Sequence, residues 1–252
     1  MKRIRILSWD VSSAGLVADA QQALGWIRSS ERGKFMACAN PHSLVQAKAN
    51  PDFAEALRRA DLLLPDGAGI LLAARMLGVE IRERVAGMDF FLSLTMLLDQ
   101  SGGGRIFFLG ASPAVLENLR ERLAHEFPNV EVAGVFSPPY KPQFSEQDNL
   151  EMVAAVNAAD ANVLWVGMTA PKQEQWILQN RERLNVNFIG AIGAVFDFYT
   201  GTKKRAPQWV CDLGLEWLPR LLREPKRLWR RTFVSGPLFL LAVIRQKFAR
   251  NA

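Results

Sequence analysis

Several polar residues follow directly on short apolar runs, where the pattern changes from strand-like to helix-like. Asp66 follows Leu62–Leu64 and stands between Pro65 and Gly67, and Asn40 follows Lys34–Cys38. The carboxyl ends of parallel strands form one rim of a sheet, where ligands bind. A carboxylate on that rim suits a general base if a substrate hydroxyl comes within hydrogen-bond distance. The alternative for Asp66 is an N-cap of the next helix, and the residue pattern alone favours the cap.

Two turns made of small residues, each placed before a helix-like segment, could bind a phosphate or diphosphate. One contains Gly110, Ala111 and Ser112, and the other begins at Gly167. Free backbone N–H groups and the helix dipole favour anions at such places. Neither turn matches the dinucleotide or P-loop glycine pattern, so ordinary strand–helix turns remain the alternative.

A third rim segment runs from Gly190 to Asp197 and is expected to be a loop. Asp197 is flanked by apolar residues in Val195–Phe198, so its carboxylate needs a partner. A ligand or a buried structural hydrogen bond explains it equally well.

The chain offers little for metal chemistry. It has two histidines, His42 and His125, and two cysteines, Cys38 and Cys211, that lie far apart. It also contains no Asp-x-Asp pair of the kind that holds a divalent cation on a nucleotide diphosphate. We therefore expect no metal and no cofactor. Arg, Lys and helix N-termini would stabilise a diphosphate leaving group instead.

The elements that must position these residues alternate between strands and helices. Such a series predicts an α/β fold with a Rossmann-like parallel sheet covered by helices on both faces. We expect this body to span residues 1–200. The strands are predicted at Lys34–Cys38, Leu62–Leu64, Arg105–Leu109, Val130–Phe136, Asn162–Val166 and Val186–Ile192, with weak evidence for any strand before Lys34.

The remaining segment, residues 201–252, is predicted to be a basic amphipathic helical appendage, broken at Pro225 and at Gly236-Pro237. From Lys203 onward it carries 12 Lys and Arg against three Asp and Glu, whereas the whole chain has a net charge of +6. Interleaved Trp and Leu favour docking on an anionic membrane surface. Charge alone would also fit nucleic acid, but Trp on an apolar face favours lipid. The longest apolar stretch, Phe233–Ile244, is shorter than the roughly 20 residues of a spanning helix.

Five segments together resemble one family. They are Asn40, Leu64–Gly67, Glu83–Asp89, Pro171–Glu174 and Phe196–Gly201, and they occur in the family's order. The chain resembles the WecG/TagA/CpsF family of bacterial glycosyltransferases from Lys34 to Arg231. The resemblance implies a metal-independent, inverting transfer of a sugar from a UDP donor to an undecaprenyl-diphosphate-linked sugar.

The resemblance also assigns roles to individual residues. It implies that Asp66 is the general base, which reverses the preference for the cap, and that Arg84 neutralises the leaving diphosphate. Asn40, Gln173 and Asp197 are implied to lie at the substrates. Cys38 stands where the family has Thr, so either that hydroxyl is dispensable or Ser43 replaces it. Arginines of the appendage are implied to meet the lipid diphosphate and the membrane: Arg220, Arg223, Arg227, Arg230 and Arg231.

The function expected is exopolysaccharide synthesis with a UDP-hexose such as UDP-glucose, suggested by the segment Asn40–Val45. An N-acetylmannosamine or N-acetylmannosaminuronic acid donor is the alternative. A non-catalytic nucleotide-binding module with a basic tail is the alternative of another class. The enzyme is expected at the cytoplasmic face of the inner membrane as a peripheral protein that binds no nucleic acid. Whether it forms a homo-oligomer is left open by the sequence.

Overall fold

A six-stranded parallel sheet forms the centre of the computed structural model, which describes residues 2–204, 207, 210, 217–223 and 225–251. Its strands are β3 (Lys34–Ala39), β4 (Leu62–Pro65), β5 (Gly104–Gly110), β6 (Val130–Phe136), β7 (Val163–Gly167) and β8 (Phe188–Ala191). They lie in the order β4-β3-β8-β7-β5-β6, and every pair in the sheet is parallel. The predicted α/β, Rossmann-like class is confirmed.

Helices cover both faces of this sheet. The body contains α1 (Leu16–Arg28), α2 (Pro41–Ala49), α3 (Pro51–Arg58), α4 (Ala68–Met76), α5 (Gly87–Gln100), α6 (Pro113–Glu126), α7 (Glu146–Ala158), α8 (Lys172–Asn180) and α9 (Val195–Tyr199). Residues of α1, α5, α6 and α9 share one buried cluster, and residues of α2, α3, α4, α7 and α8 share the other. The strands are apolar on both sides because each side of the sheet is covered.

The segment before Lys34, where sequence evidence was weak, contains an antiparallel hairpin and α1. β1 (Arg3–Ile6) pairs with β2 (Trp9–Ser12), and both lie outside the main sheet. Ile6, Trp9 and Val11 are buried in the cluster that includes α2 and α4. The hairpin therefore belongs to the body.

The C-terminal region contains α10 (Trp217–Arg223), α11 (Pro225–Trp229), a π-helical segment (Arg230–Ser235) and α12 (Gly236–Asn251). The predicted break at Gly236-Pro237 is wrong, because the helix continues through it. Pro237 has no N–H and crowds the carbonyl group four residues earlier. The wider π turn directly before it accommodates this loss. Pro225, by contrast, stands at the start of a helix, as Pro commonly does.

α12 packs directly on the body. Phe239 and Val243 are fully buried in the same cluster as Leu44 of α2 and Ile70 of α4. At its far end, Gln246 accepts a hydrogen bond from the backbone N–H of Leu7 at 2.8 Å. No helix within the described ranges is both long and apolar enough to cross a bilayer. The division of the chain at residue 200 stays a prediction.

Candidate active site

The ends of β3 and β4 bring Asn40 and Asp66 together. The backbone N–H of Asp66 donates to the carbonyl of Ala39 at 2.8 Å, which ties the two strand ends to each other. Gly67, with a φ of +96°, turns the chain from β4 into α4, and a Cβ built on it would lie 3.9 Å from Cβ of Asn40. This positive φ strongly favours glycine. The two predicted site residues are thus neighbours at the rim.

Asp66 does not cap α4. The N-cap position of that helix is Gly67, and no side chain caps it. The carboxylate of Asp66 instead lies with its Oδ1 3.9 Å from Nη1 of Arg84, and the side chain keeps 28% of its surface exposed. The cap role favoured by the residue pattern is wrong, and a carboxylate at the rim remains.

Arg84 lies between two carboxylates. The N–H of Val85 donates to the carbonyl of Pro65 at 3.0 Å, which holds this segment against the end of β4. The Nη2 of Arg84 is 3.7 Å from Oδ2 of Asp89, in addition to its contact with Asp66. A half-buried cation is therefore placed beside the carboxylate that could accept a proton.

Asn40 and Ser43 form a capping box at the start of α2. Asn40 Oδ1 accepts from the N–H of Ser43 at 3.0 Å, and the Ser43 hydroxyl accepts from the N–H of Asn40 at 2.8 Å. The same hydroxyl donates to the carbonyl of Asn40 at 2.9 Å. Ser43 is buried, and its hydroxyl proton is donated to the carbonyl of Asn40. This hydroxyl therefore does not replace the donor that is lost where Cys38 stands in place of threonine.

Cys38 lies beneath the rim, near the first residue of α5. A Cβ built on Gly87 would lie 3.5 Å from its Sγ. Burial, and then the negative charges of Asp66 and Glu174, raise the pKa of the Cys38 thiol well above its usual value. The thiol is therefore protonated and does not act as a nucleophile.

The two turns of small residues lie side by side. Gly110 pairs with Gly167 across β5 and β7, and a Cβ on Gly110 would lie 2.4 Å from the carbonyl oxygen of Gly167. The N–H of Ala111 donates to that carbonyl at 3.2 Å, and the Ser112 hydroxyl caps α6 by accepting from Val115 at 3.4 Å. The predicted pair of turns is thus assembled at the rim.

Gly190 and the segment after it differ from the predicted loop. Gly190 lies inside β8, where a Cβ would come within 2.1 Å of the indole ring of Trp165. Close packing of the ring against the strand explains the glycine, which is not a loop residue. Val195–Tyr199 then forms the short helix α9.

Gln173 and Asp197 both have partners inside the protein. Oε1 of Gln173 accepts from the N–H of Gly193 at 3.0 Å, and its Nε2 donates to Oε1 of Glu174 at 2.8 Å. Oδ2 of Asp197 lies 2.6 Å from Nζ of Lys203. Gln173 thus supports the turn after β8, whereas Asp197 is a half-buried residue one turn further along. Sequence reasoning missed Glu174, although it lies beside Gln173 in the segment Pro171–Glu174.

The C-terminal region contacts the rim next to Asn40. The ring Nδ1 of His42 lies 2.9 Å from the hydroxyl of Ser235. Burial, and then the charge of Arg231, lower the pKa of His42. Arg230 lies over the ring of Trp229, 5.9 Å from its centre. The predicted roles of Arg220, Arg223 and Arg227 fall on side chains outside those that the structure describes.

This rim can support the displacement of an anionic leaving group. β4 and β5 are four strand spacings apart, about 19 Å. The rim therefore holds the carboxylate of Asp66 at one side and two helix-opening turns at the other. Among the described residues, no three His, Cys, Asp or Glu side chains form a group that could hold a metal ion. The cations and helix N-termini described above can stabilise negative charge here.

Comparison with known proteins agrees with this chemistry. The model of the glycosyl transferase WecG/TagA/CpsF family matches residues 4–252. A Bacillus spizizenii protein named N-acetylglucosaminyldiphosphoundecaprenol N-acetyl-beta-D-mannosaminyltransferase is 34% identical over 86% of this chain and 81% of its own length. Proteins of the same name from Bacillus subtilis and Staphylococcus aureus are 29% and 26% identical over 85% and 86% of this chain, and over 80% and 82% of their own lengths.

Proposed function

The chain belongs to the WecG/TagA/CpsF family of glycosyltransferases, and we propose that it transfers N-acetylmannosamine from a UDP donor to N-acetylglucosaminyl-diphospho-undecaprenol. The names of the three relatives support this donor over the UDP-hexose suggested by Asn40–Val45. The six residues Asn40–Val45 are weak support for a hexose donor, whereas the similarity to these relatives extends over most of the chain. Because the protein is a transferase, the non-catalytic binding module is set aside.

The observation that carries the proposal is the rim carboxylate of Asp66, which stands one residue before the N-cap of α4 and lies 3.9 Å from Arg84. In the proposed reaction, Asp66 takes the proton of an acceptor hydroxyl while the hydroxyl oxygen bonds to C1 of the donor sugar. The bond between C1 and the diphosphate oxygen breaks in the same displacement. The anomeric centre is inverted, in keeping with the β-linkage in the relatives' names.

The leaving UDP needs compensation for its growing negative charge. We propose that Arg84 and the N-terminus of α2 supply it without a metal ion. Asn40 at the start of α2 would contact the diphosphate, and the turn of Gly110, Ala111 and Ser112, three strands from β3, would contact the nucleoside end of the donor. Asp197 would contact the nucleoside, and Arg231 beside His42 would approach the lipid diphosphate from the C-terminal region.

The acceptor is held in a membrane, so the enzyme must reach the bilayer surface. We propose that the exposed face of the C-terminal helices docks there, at the cytoplasmic side. Phe233 and Phe248 are 63% and 69% exposed, and Leu241 is 53% exposed. The basic side chains of Lys226 and Arg230 are exposed on the same region. Apolar insertion with basic flanks is the pattern of a helix lying in the interface.

The test is UDP release with a panel of UDP-sugars and a lipid-diphosphate N-acetylglucosamine acceptor, in the presence of EDTA. We expect turnover with UDP-N-acetylmannosamine that requires the acceptor. Asp66→Asn should lower kcat by about 10²- to 10⁴-fold, since it removes the base, whereas UDP binding should be retained. Asp52→Asn, at the exposed start of α3, is the matched control. Turnover that needs added magnesium, or full activity of Asp66→Asn, would contradict the proposal.

A further inference from the structure

A buried chain of hydrogen bonds links the start of α8 to the turn that follows β8. Glu174 and Gln173 are 3% and 4% exposed. The amide of Gln173 donates to Oε1 of Glu174 at 2.8 Å and accepts from the backbone N–H of Gly193 at 3.0 Å. One carboxyl group therefore holds, through one amide, the first residue beyond Ile192 at the rim.

The second carboxyl oxygen of Glu174 is buried without a hydrogen-bond partner among the described residues. A buried carboxylate oxygen without a donor is costly. Protonation of Oε2 lowers this cost, because a neutral carboxyl group costs less to bury than a carboxylate, and Oε1 still accepts from Gln173. Burial, opposed by that hydrogen bond, raises the pKa of Glu174 to about 7.

The charged side chains that the structure describes on the surrounding helices have other partners: Lys172 lies over the ring of Phe144, Arg181 pairs with Asp61, and Glu55 of α3 pairs with Arg58 and Arg59. The charges of Glu174 and Asp66 both act on the Cys38 thiol and raise its pKa. Ionisation of Glu174 would therefore add a negative charge to a region that already holds one.

We propose that Glu174 is a positioning residue for sugar transfer, which as a neutral acid fixes the turn at Gly193 through Gln173. This inference rests on the proposed function, because the turn lies at the rim assigned there to the UDP-sugar. Two consequences follow from a neutral carboxyl. Oε1 still accepts from Gln173, and the region under the donor carries no extra charge to repel its diphosphate.

The experiment is the pH dependence of kcat and donor KM for the wild type, Glu174→Gln and Glu174→Ala. Gln reproduces the neutral acid, since its carbonyl accepts from Gln173 and its amide group replaces the acid's donor. At about pH 6 we expect Glu174→Gln to stay within about threefold of the wild type. Glu174→Ala should raise donor KM at least about tenfold at every pH, because Gln173 loses its acceptor.

The decisive difference lies above neutral pH. Ionisation of Glu174 should raise the donor KM of the wild type as pH passes about 7, and this rise should be absent in Glu174→Gln. A glutamate that only supported folding would change the free energy of unfolding when replaced, but its replacement would not remove the rise of donor KM above about pH 7. Identical profiles in the wild type and Glu174→Gln, or loss of activity of Glu174→Gln at acidic pH, would overturn the inference.

An infrared measurement does not depend on turnover. The spectrum of the wild type minus that of Glu174→Gln should contain the carbonyl band of a protonated carboxylic acid, and this band should disappear as pH rises through about 7. Asp19, a second buried carboxyl with a raised pKa, cancels in the difference. If no UDP-sugar is turned over, the proposed function fails and the band still reports on Glu174. If turnover is normal and the band is absent, only the inference fails.

Discussion

Asp66 shows what a residue pattern can and cannot decide. Its place after an apolar strand predicted a rim position, which the structure confirms. The pattern could not separate a base from a cap, because the two roles differ by one residue in the helix start. Gly67 decides the matter: with a φ of +96° it takes the N-cap position itself, and the carboxylate of Asp66 is left beside Arg84.

Glu174 and Cys38 show an interaction between residues that the sequence does not reveal. Sequence reasoning named Cys38 as a substitution and passed over Glu174, since nothing in a sequence reports that a buried carboxyl group affects a half-buried thiol. Their coupling is visible only in the raised pKa of the thiol, to which burial contributes most and Asp66 and Glu174 add. Burial of a carboxyl is a tertiary property.

The half-buried thiol of Cys38 gives a direct prediction. In a Cys211→Ser background, Cys38 should react with a thiol-specific disulfide reagent at about pH 8 at least about tenfold more slowly than free cysteine, because its pKa is raised and little thiolate forms. Unfolding in urea should restore the ordinary rate. Rapid reaction in the native protein, accompanied by loss of transferase activity, would show that the thiol is accessible and ionised.

At the scale of elements, the strands were predictable and some helices were not. All six predicted strands match observed ones within two residues at each end, and Val130–Phe136 matches fully. The helix Gly87–Gln100 was not predicted, although its buried residues, among them Phe90, Phe91 and Leu94, lie on one helix face. Further apolar side chains lie off that face, such as Met96 at 50% exposure, and they obscure the period on which a prediction depends.

α12 combines both kinds of surface on one helix, and this can be tested with one residue type. Phe239 is fully buried and Phe248 is 69% exposed. Phe239→Ala should lower the free energy of unfolding by about 3–5 kcal/mol, measured by urea denaturation of the whole chain. Phe248→Ala is the matched control and should change it by less than about 0.5 kcal/mol.

The same pair of variants tests how α12 is coupled to the body. If Phe239→Ala shifts the single unfolding transition, the helix and the sheet unfold together. An unchanged transition in both variants would mean that α12 contributes nothing to the stability of the body. It would then behave as the independent appendage predicted from the sequence.

At the scale of the whole molecule, the excess of basic residues predicted that the C-terminal region differs from the body, but it did not predict where this region packs. The excess of Lys and Arg is a property of composition, and it can be read directly. The burial of Phe239 and Val243 against α2 and α4 depends on long-range packing, so it cannot be read from the sequence. Truncation after about Thr202 would remove these core residues together with the exposed face. A truncated chain therefore cannot separate membrane docking from folding.

Substitutions confined to the exposed face can separate them. Leu241→Ser with Phe248→Ser removes two exposed apolar side chains from α12 and leaves Phe239 and Val243 in place. Full burial of each apolar side chain is worth about 1.5–3 kcal/mol, so partial insertion of two should change partitioning by at least about 30-fold. We expect this loss in flotation with phosphatidylglycerol vesicles, whereas the unfolding transition should be unchanged.

Val17→Ser with Met96→Ser, on exposed positions of α1 and α5, is the matched control and should bind normally. Salt should weaken wild-type binding, since basic side chains flank the apolar ones. Equal loss in both double variants, or in neither, would mean that this face of α12 is not the docking surface and that the lipid acceptor reaches Asp66 by another approach.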